Sequence, residues 1–294
     1  MKIFIAGGTG FVGGHLLEVL AEHGYAVRLL VHRRSPVVSS EIEQVEGDVT
    51  SLNSFEHAAH GCDAVINLVG IIREFPSRGI TFERLHVLAT ANLLAATQDA
   101  GIRRYLQMSA LGTRPAAVSS YHRTKYQAEE LVLSSGLDVT ILRPSLIYGP
   151  KDAFINMLAQ QMRLSPLMPV IGSGSYRMQP IHAADVARCF VLALEMPETI
   201  GGCYELCGND RMTYLQMLDA IALAMVRPAP LKLRAPLGLM KLVIPFLQHL
   251  PRFPITTDQL QMLIEENICD GCWQKVFRFE PRGFLEGIRG YLDS

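Results

Sequence analysis

The chain has 294 residues, of which 49% are apolar, and a formal net charge of −1 at pH 7. This length allows one large domain or two modest ones, and the nearly balanced charge gives no support to a nucleic-acid partner. Six cysteines in a chain of this size do not form a disulfide framework, and no apolar run reaches the length of a membrane span. Because a strand is predicted to begin at Lys2, with no room for a leader peptide, we expect a reducing, cytoplasmic environment.

The N-terminal residues contain a glycine motif between a predicted strand and a predicted helix. Residues 2–6 form a short apolar run typical of a buried parallel strand, and apolar residues recur at helical spacing after the motif. Glycines at such a turn permit a tight bend, the approach of a pyrophosphate and close helix packing, and the helix N-terminus favours negative charge. The alternative, that the glycines serve packing alone, is disfavoured because the motif opens a βα unit. The predicted dinucleotide-binding residues are Gly7, Thr9, Gly10, Phe11, Val12 and Gly13.

The end of the second predicted strand, residues 25–31, indicates which dinucleotide binds. A site for NAD usually places an acidic residue here, on the adenosine ribose, whereas this strand is followed by His32, Arg33 and Arg34. Arginine binds a phosphate bidentately, as the 2′-phosphate of NADP requires. We therefore expect NADP(H) to be preferred over NAD(H), with solvated loop charges as the alternative interpretation of the two arginines.

The first half of the chain alternates strands with helices. Further strands are predicted at residues 44–46, 62–68, 104–108 and 138–143, and a long helix at 81–100. This alternation is typical of an α/β fold with a doubly wound parallel sheet, the Rossmann fold.

Two of these strand ends add residues to the predicted cofactor site. Asp48 and Val49 follow the third strand, and the carboxylate is placed to cap the next helix or to accept from an adenine amino group. The fourth strand ends in Leu68, Val69 and Gly70, where a glycine lets a cofactor approach the backbone.

Three residues after the fifth predicted strand are candidates for the chemistry. Ser109 stands at the C-terminal end of that strand, where open α/β sheets bind ligands. Tyr121 and Lys125 lie four residues apart on one face of a helix that continues to Ser134. An ammonium beside a phenol lowers the phenol's pKa from about 10 toward neutrality, which suits general acid–base catalysis.

Several segments share the pattern of one protein group. They are GGTGFVG at 7–13, GDVT at 47–50, YHRTK at 121–125, LRPSLIYGP at 142–150 and QPIHAADV at 179–186. Together with Ser109 they resemble the extended short-chain dehydrogenase/reductase superfamily of NAD-dependent epimerases, dehydratases and reductases. The segments NLVGIIRE at 67–74, TFERLH at 81–86 and MSALG at 108–112 resemble, more narrowly, an atypical branch. That branch contains bacterial relatives of the nucleotide-binding accessory subunit of respiratory complex I.

The resemblance implies roles for individual residues. Tyr121 would be the catalytic acid–base, and Lys125 would hold the nicotinamide ribose hydroxyls and tune the phenol. Ser109 would polarise the substrate oxygen, and the backbone at Pro144 would border the nicotinamide. Two positions depart from the superfamily pattern: Ala110 stands where a second hydroxyl residue is often found, and His86 where asparagine is common.

The second half of the chain loses the regular alternation, as expected for a substrate-binding portion. Helices are predicted at 153–164, 183–194, 213–226, 257–266 and 281–292, a strand at 203–206 and a loop at 166–174. We expect a nucleotide-binding domain at residues 1–150 and a mainly substrate-binding portion at 151–294, partly interleaved with the first. Candidate apolar pocket residues, which weakly favour a lipid-like substrate, are Met108, Tyr148, Met157, Met162 and Met178.

The stretch at residues 231–250 is unusually apolar, and a helix that is apolar on more than one face is predicted within it, at 235–250. Such a helix could cover the substrate pocket, dock on a membrane, or join a protein partner or oligomer, and burial in the small domain is the simplest interpretation. The cysteines at 203, 207, 269 and 272 lack a nearby histidine in a ligand pattern, so no metal site is predicted.

Two hypotheses of function follow. In the first, the protein is an NADP(H)-dependent oxidoreductase or epimerase that moves a hydride between the nicotinamide and a carbon bearing a hydroxyl or carbonyl, while Tyr121 handles the proton. In the second, it is a non-catalytic accessory or assembly protein, in which a bound nucleotide stabilises the fold and the apolar helix near residue 242 meets a partner or membrane.

Overall fold

A computed structural model describes residues 1–34, 42–248, 250, 253 and 255–292. Arg33 and Arg34 end the first of these ranges. The chain divides into two compact units. The first unit comprises Met1–Pro144, Ala183–Glu205 and Lys275–Phe277, and the second comprises Ser145–His182, Leu206–Gln274 and Arg278–Ser294.

The regular elements are numbered in chain order. The strands are β1 (Lys2–Ala6), β2 (Ala26–Val31), β3 (Glu43–Glu46), β4 (Ala64–Asn67), β5 (Arg104–Met108), β6 (Asp138–Pro144), β7 (Ile147–Tyr148), β8 (Leu167–Ile171), β9 (Arg177–Met178), β10 (Ile181–His182), β11 (Cys203–Leu206), β12 (Met212–Thr213) and β13 (Leu231–Ala235). The α-helices are α1 (Phe11–Glu22), α2 (Ala89–Asp99), α3 (Ser120–Leu133), α4 (Phe154–Leu164), α5 (Ala183–Glu195), α6 (Tyr214–Ala224), α7 (Leu237–Leu247), α8 (Thr257–Ile264), α9 (Trp273–Phe277) and α10 (Phe284–Leu292).

A seven-stranded sheet in the order β11-β6-β5-β4-β1-β2-β3 organises the first unit. Every adjacent pair from β6 to β3 is parallel. The core includes Phe4, Val65, Leu93, Tyr105 and Ile141, all of them buried, as expected for a parallel sheet covered by helices. The strand order reverses between β4 and β1, and ligands of open α/β sheets bind at the carboxyl ends of strands beside such a reversal. The predicted doubly wound α/β fold is confirmed.

Short strand pairs and helices make up the second unit. The pairs are β7 with β10, β8 with β13, and β9 with β12. Thr213, the first residue of the helix predicted at 213–226 and a residue type that favours an N-cap, is the N-cap of α6. Its hydroxyl accepts from the Gln216 backbone N–H at 3.2 Å, and the Gln216 side chain accepts from the Thr213 N–H.

One secondary-structure prediction is wrong, because the predicted loop at 166–174 contains β8. The helix predicted at 235–250 is confirmed as α7, while the strand before it, β13, was not predicted and pairs in parallel with β8. Pro236 separates β13 from α7. Lys232 and Arg234 alternate with leucines on β13, so a two-residue period continues to the proline, and α7 begins only after it.

Four of the apolar residues proposed for the pocket contribute to the core of the second unit. Tyr148, Met162 and Met178 are buried members of its hydrophobic core, and Met157 packs against that core. Met162 also lines a surface cavity, and a place for these residues in a substrate pocket stays a prediction.

A disulfide joins Cys207 to Cys269, whose Cα atoms lie 6.1 Å apart. The expectation of cysteines without cross-links is corrected at this pair. The pairing could not be predicted from the sequence because 62 residues separate the two positions. Across the described ranges, no helix has the length and hydropathy needed to cross a membrane.

Candidate active site

The glycine motif forms the turn between β1 and α1. Gly7 has a φ of 79°, and a Cβ atom there would lie 2.8 Å from the Leu68 carbonyl carbon. A Cβ atom on Gly13 would lie 2.2 Å from the Gly8 carbonyl oxygen. Both positions therefore require glycine for steric reasons, and the turn presses against the end of β4. Gly10 is the N-cap of α1 and provides no side-chain acceptor, so the first N–H groups of α1 are not capped by a side chain.

The end of β2 lies beside an acidic residue that the sequence analysis missed. The register of β2 and β3 places Glu46 opposite Val31. The Glu46 carboxylate lies 3.7 Å from Nε of Arg34, and both side chains are largely exposed. The sequence analysis missed Glu46 because it lacked the register between β2 and β3. That register brings a carboxylate of β3 to the end of β2, where β2 itself has none.

Asp48 forms a tight turn instead of capping a helix. Its Oδ1 accepts from the backbone N–H and the hydroxyl of Thr50, both at 2.8 Å, while Ser51 is the N-cap of the short 3₁₀ helix at Leu52–Ser54. Burial opposes ionisation, but the two bonds from Thr50 prevail and lower the pKa of Asp48. The adenine interpretation stays a prediction.

Lys125 lies at the carboxyl ends of β4 and β5. Its Nζ donates to the Met108 carbonyl at 3.1 Å and to the Val69 carbonyl at 3.3 Å. Asn67 holds the β4 end in place, because its Oδ1 accepts from the Val69 N–H at 2.9 Å. A Cβ atom on Gly70 would lie 3.0 Å from Nζ. Burial lowers the pKa of Lys125 to about 8.

Tyr121 precedes Lys125 by one turn of α3 and is also buried. Burial raises the pKa of Tyr121 to about 12. The expectation that Lys125 would lower this pKa is therefore wrong for the structure described here. The reason is that loss of solvent disfavours the phenolate, while the Lys125 ammonium is directed to two backbone carbonyls.

His86 belongs to a π-helix, Glu83–Leu88, that occupies the start of the predicted helix at 81–100. Its Nε2 accepts from the Ile71 N–H at 3.3 Å, and its Nδ1 lies 2.8 Å from the Thr124 hydroxyl. Burial, and then the charge of Lys125, lower the pKa of His86 to about 2. The imidazole is therefore neutral with its proton on Nδ1, and its ring packs edge-on against Tyr121 at 5.3 Å. The sequence showed only that this position departs from the asparagine pattern.

Ser109 is buried at the end of β5, and its hydroxyl lies 3.4 Å from the hydroxyl of Thr113. Thr113 therefore places a second hydroxyl group beside Ser109, whereas Ala110, the residue next to Ser109 in the chain, has no hydroxyl group. The sequence analysis missed it because the two residues are four positions apart in a loop. The same loop contacts the end of β6, where the Leu111 N–H donates to the Pro144 carbonyl at 2.9 Å.

The structure brings these predicted residues to one edge of the sheet. The glycine turn, the end of β4 at Leu68 to Gly70 and the pair Tyr121 and Lys125 meet in the first unit, together with Ser109 and Pro144 at the ends of β5 and β6. An exposed group formed by His57, His60 and Asp99 also has the ligand types and spacing for a metal ion.

The family model for the NAD dependent epimerase/dehydratase family matches residues 3–207. The chain therefore belongs to this family, and the resemblance stated from its motifs is confirmed.

Curated relatives extend this assignment. The chain is 31% identical over 278 residues to the mitochondrial NADH dehydrogenase [ubiquinone] 1 alpha subcomplex subunit 9 of Arabidopsis thaliana, covering 90% of this chain and 68% of that protein. It is 31% identical to the ceramide reductase of Caulobacter vibrioides, covering 80% of this chain and 74% of that protein. It is 31% identical to a 4-hydroxy-2-methyl-3-oxo-4-farnesyl-3,4-dihydroquinoline-1-oxide ketoreductase of Stigmatella aurantiaca, covering 66% of this chain and 65% of that protein.

A solved structure agrees on the fold. MoeE5 in complex with UDP-glucose and NAD matches with a TM-score of 0.76 and 22% identity, covering 100% of this chain and 98% of that one. The chain is thus a member of the NAD dependent epimerase/dehydratase family whose fold matches that of a protein solved with NAD bound.

Proposed function

We propose that this protein is an NADP(H)-dependent reductase that acts on a carbonyl group of an apolar, lipid-like substrate. The observation that carries the proposal is the buried pair Tyr121 and Lys125 beside Ser109, at the strand ends that border the glycine turn. The substrate class is supported by two relatives, whose names describe reductases of ceramide and of a farnesylated quinoline oxide.

The residues at the sheet edge fit a dinucleotide. The turn has no space for a Cβ atom at Gly7 or Gly13, and it presents N–H groups that no side chain caps, which suits a pyrophosphate. Within the described ranges the Lys125 ammonium donates to two carbonyls, so its third N–H can bind a ribose hydroxyl. The positive charges of Arg33 and Arg34 would bind the 2′-phosphate of NADP. The Glu46 carboxylate, which lies near Arg34, would compete with that phosphate for the Arg34 guanidinium.

The chain's own residues would manage the proton. A nicotinamide held at this edge of the sheet would supply the hydride. Because burial raises the pKa of Tyr121 to about 12, the phenol is protonated at neutral pH and can donate to the substrate oxygen. Lys125, one helical turn away on α3, would hold the nicotinamide ribose through its third N–H and so position the cofactor beside Tyr121. Ser109, steadied by the Thr113 hydroxyl, would hydrogen-bond the same oxygen.

The test combines cofactor binding with turnover. Purified protein is titrated with NADPH and NADH, and oxidation of NADPH is then followed with a panel of long-chain ketones and acyl aldehydes. Tighter binding of NADPH that is lost in the double variant Arg33→Gln/Arg34→Gln supports the cofactor assignment, and a preference for NADH overturns it.

A tyrosine pair separates catalysis from folding. Tyr121→Phe should lower kcat by about 10²- to 10⁴-fold and leave NADPH binding unchanged. The matched control is Tyr126→Phe on the same helix, where a less buried ring is changed in the same way. Equal activity in the wild type and Tyr121→Phe would refute the catalytic assignment.

The second candidate function is a non-catalytic nucleotide-binding accessory protein. The observation that favours it is the similarity to a complex I subunit over 90% of this chain. This hypothesis expects the wild type to bind a nucleotide and gain thermal stability from it, but to show no turnover with any carbonyl substrate.

A further inference from the structure

The segment at residues 220–248 has an unusual charge distribution. It contains Arg227, Lys232, Arg234 and Lys241 and no aspartate or glutamate, whereas the whole chain has a net charge of −1. Lys232 pairs with Asp219, which precedes the segment, at 2.6 Å. Arg234 and Lys241 are exposed. The segment is therefore a positive region of a chain that is otherwise net acidic.

The helix of this segment exposes large apolar side chains. Leu239, Leu242 and Phe246 are 54%, 66% and 74% exposed, and their spacing of three and four residues places them on one side of α7. We call these three residues the α7 apolar face. Ile244 is buried on the opposite side of the helix. The helix therefore presents apolar side chains both to the protein interior and to the solvent.

A second exposed apolar surface lies on the adjoining strand pair. Leu231 and Leu233 of β13 are each 64% exposed, and Leu231 pairs with Leu167 of β8, which is 52% exposed. Lys232 and Arg234 alternate with these leucines along β13, so they lie on the opposite face of that strand. The segment therefore carries exposed leucines and exposed cations close together in the chain.

We infer that this segment docks on the surface of a lipid bilayer that contains anionic phospholipid. Leucine and phenylalanine side chains enter the boundary between head groups and acyl chains, and arginine and lysine beside them bind anionic head groups. An α-helix of 11 residues is about 16 Å long, shorter than the hydrocarbon core of a bilayer of about 30 Å, so α7 would lie in the plane of the surface.

Charge argues against a second copy of the chain as the occupant. A twofold dimer through this surface would place the exposed cations Arg234 and Lys241 of one copy against the same cations of the other, with no acidic residue in the segment to compensate. An anionic bilayer neutralises them instead. The inference concerns the second unit and stands apart from the proposed reductase function.

Sedimentation with vesicles tests the inference on the full chain. We expect the wild type to bind vesicles of phosphatidylcholine mixed with phosphatidylglycerol, to bind pure phosphatidylcholine weakly, and to be released by salt. The double variant Leu242→Glu/Phe246→Glu should bind at least about ten-fold more weakly. Arg234→Gln/Lys241→Gln should lower binding to anionic vesicles by about five-fold per charge and reduce the salt dependence.

Leu133→Glu is the matched control. Leu133 is 53% exposed at the end of α3 in the first unit, so the same charge enters an exposed leucine away from the segment, and binding should be unchanged. NADPH binding and thermal unfolding of all variants report whether they fold. The inference is overturned if the wild type does not bind anionic vesicles, or if folded Leu242→Glu/Phe246→Glu binds as the wild type does. It is also overturned if light scattering shows a dimer that this double variant dissociates.

Discussion

Replacement of Lys125 by methionine should change how the stability of the protein depends on pH. The ammonium is buried, and burial lowers its pKa from 10.5 to about 8. Between these two values the unfolded chain binds more protons at this residue than the folded chain, so stability rises with pH. From pH 7 to about pH 9.5 the gain from this group is about 2 kcal/mol, which the Lys125→Met variant lacks.

The difference between the two proteins is the quantity to measure. Denaturant unfolding is followed at several pH values for the wild type, Lys125→Met and Lys275→Met, the last of which changes an exposed lysine. The absolute stability of Lys125→Met also reflects the loss of hydrogen bonds to the Val69 and Met108 carbonyls, whereas the slope with pH does not. Parallel curves for wild type and Lys125→Met would refute the argument that Nζ is desolvated.

Two further predictions concern the glycine turn and the disulfide. Gly13→Ala should abolish dinucleotide binding because its Cβ atom would overlap the Gly8 carbonyl oxygen, whereas Gly14→Ala, whose Cβ atom meets nothing within 4 Å, should retain binding; equal affinity of both variants by titration would contradict the steric argument. Reduction of the Cys207–Cys269 bond, or the Cys207→Ser variant, should lower the free energy of unfolding by up to roughly 4 kcal/mol, because the bond closes a loop of 62 residues. Alkylation of both cysteines in the native, unreduced protein would show that no bond is present.

Burial of the Lys125 ammonium lowers the stability of the folded protein at neutral pH, and the fold alone does not require it. A charged group with a lowered pKa destabilises the folded protein at neutral pH, so a residue of this kind at a strand end is typical of a functional site. The adjacent π-helix around His86 is a second local irregularity of the type that occurs at functional sites. Both approach Gly70 at the carboxyl end of β4, the same strand end that the glycine turn contacts at Leu68, which supports the location of the proposed site.

Local patterns in the sequence determined the Rossmann fold and the order of most elements. The glycine turn, the alternation of strands and helices, and the spacing of Tyr121 and Lys125 depend on neighbours within one or two elements, and such short-range relations can be read directly from the chain. The N-cap at Thr213 could be predicted for the same reason.

Only the tertiary structure decided which distant residues meet. Glu46 reaches Arg34 through strand register, Thr113 reaches Ser109 through a loop, and Cys207 reaches Cys269 across 62 residues. The pKa of Tyr121 depends on burial, which is a property of the packed molecule and not of the four-residue spacing to Lys125. Sequence periodicity identifies the faces of single elements, but contacts and solvent access arise from how the whole chain packs, and these set the chemistry of the site.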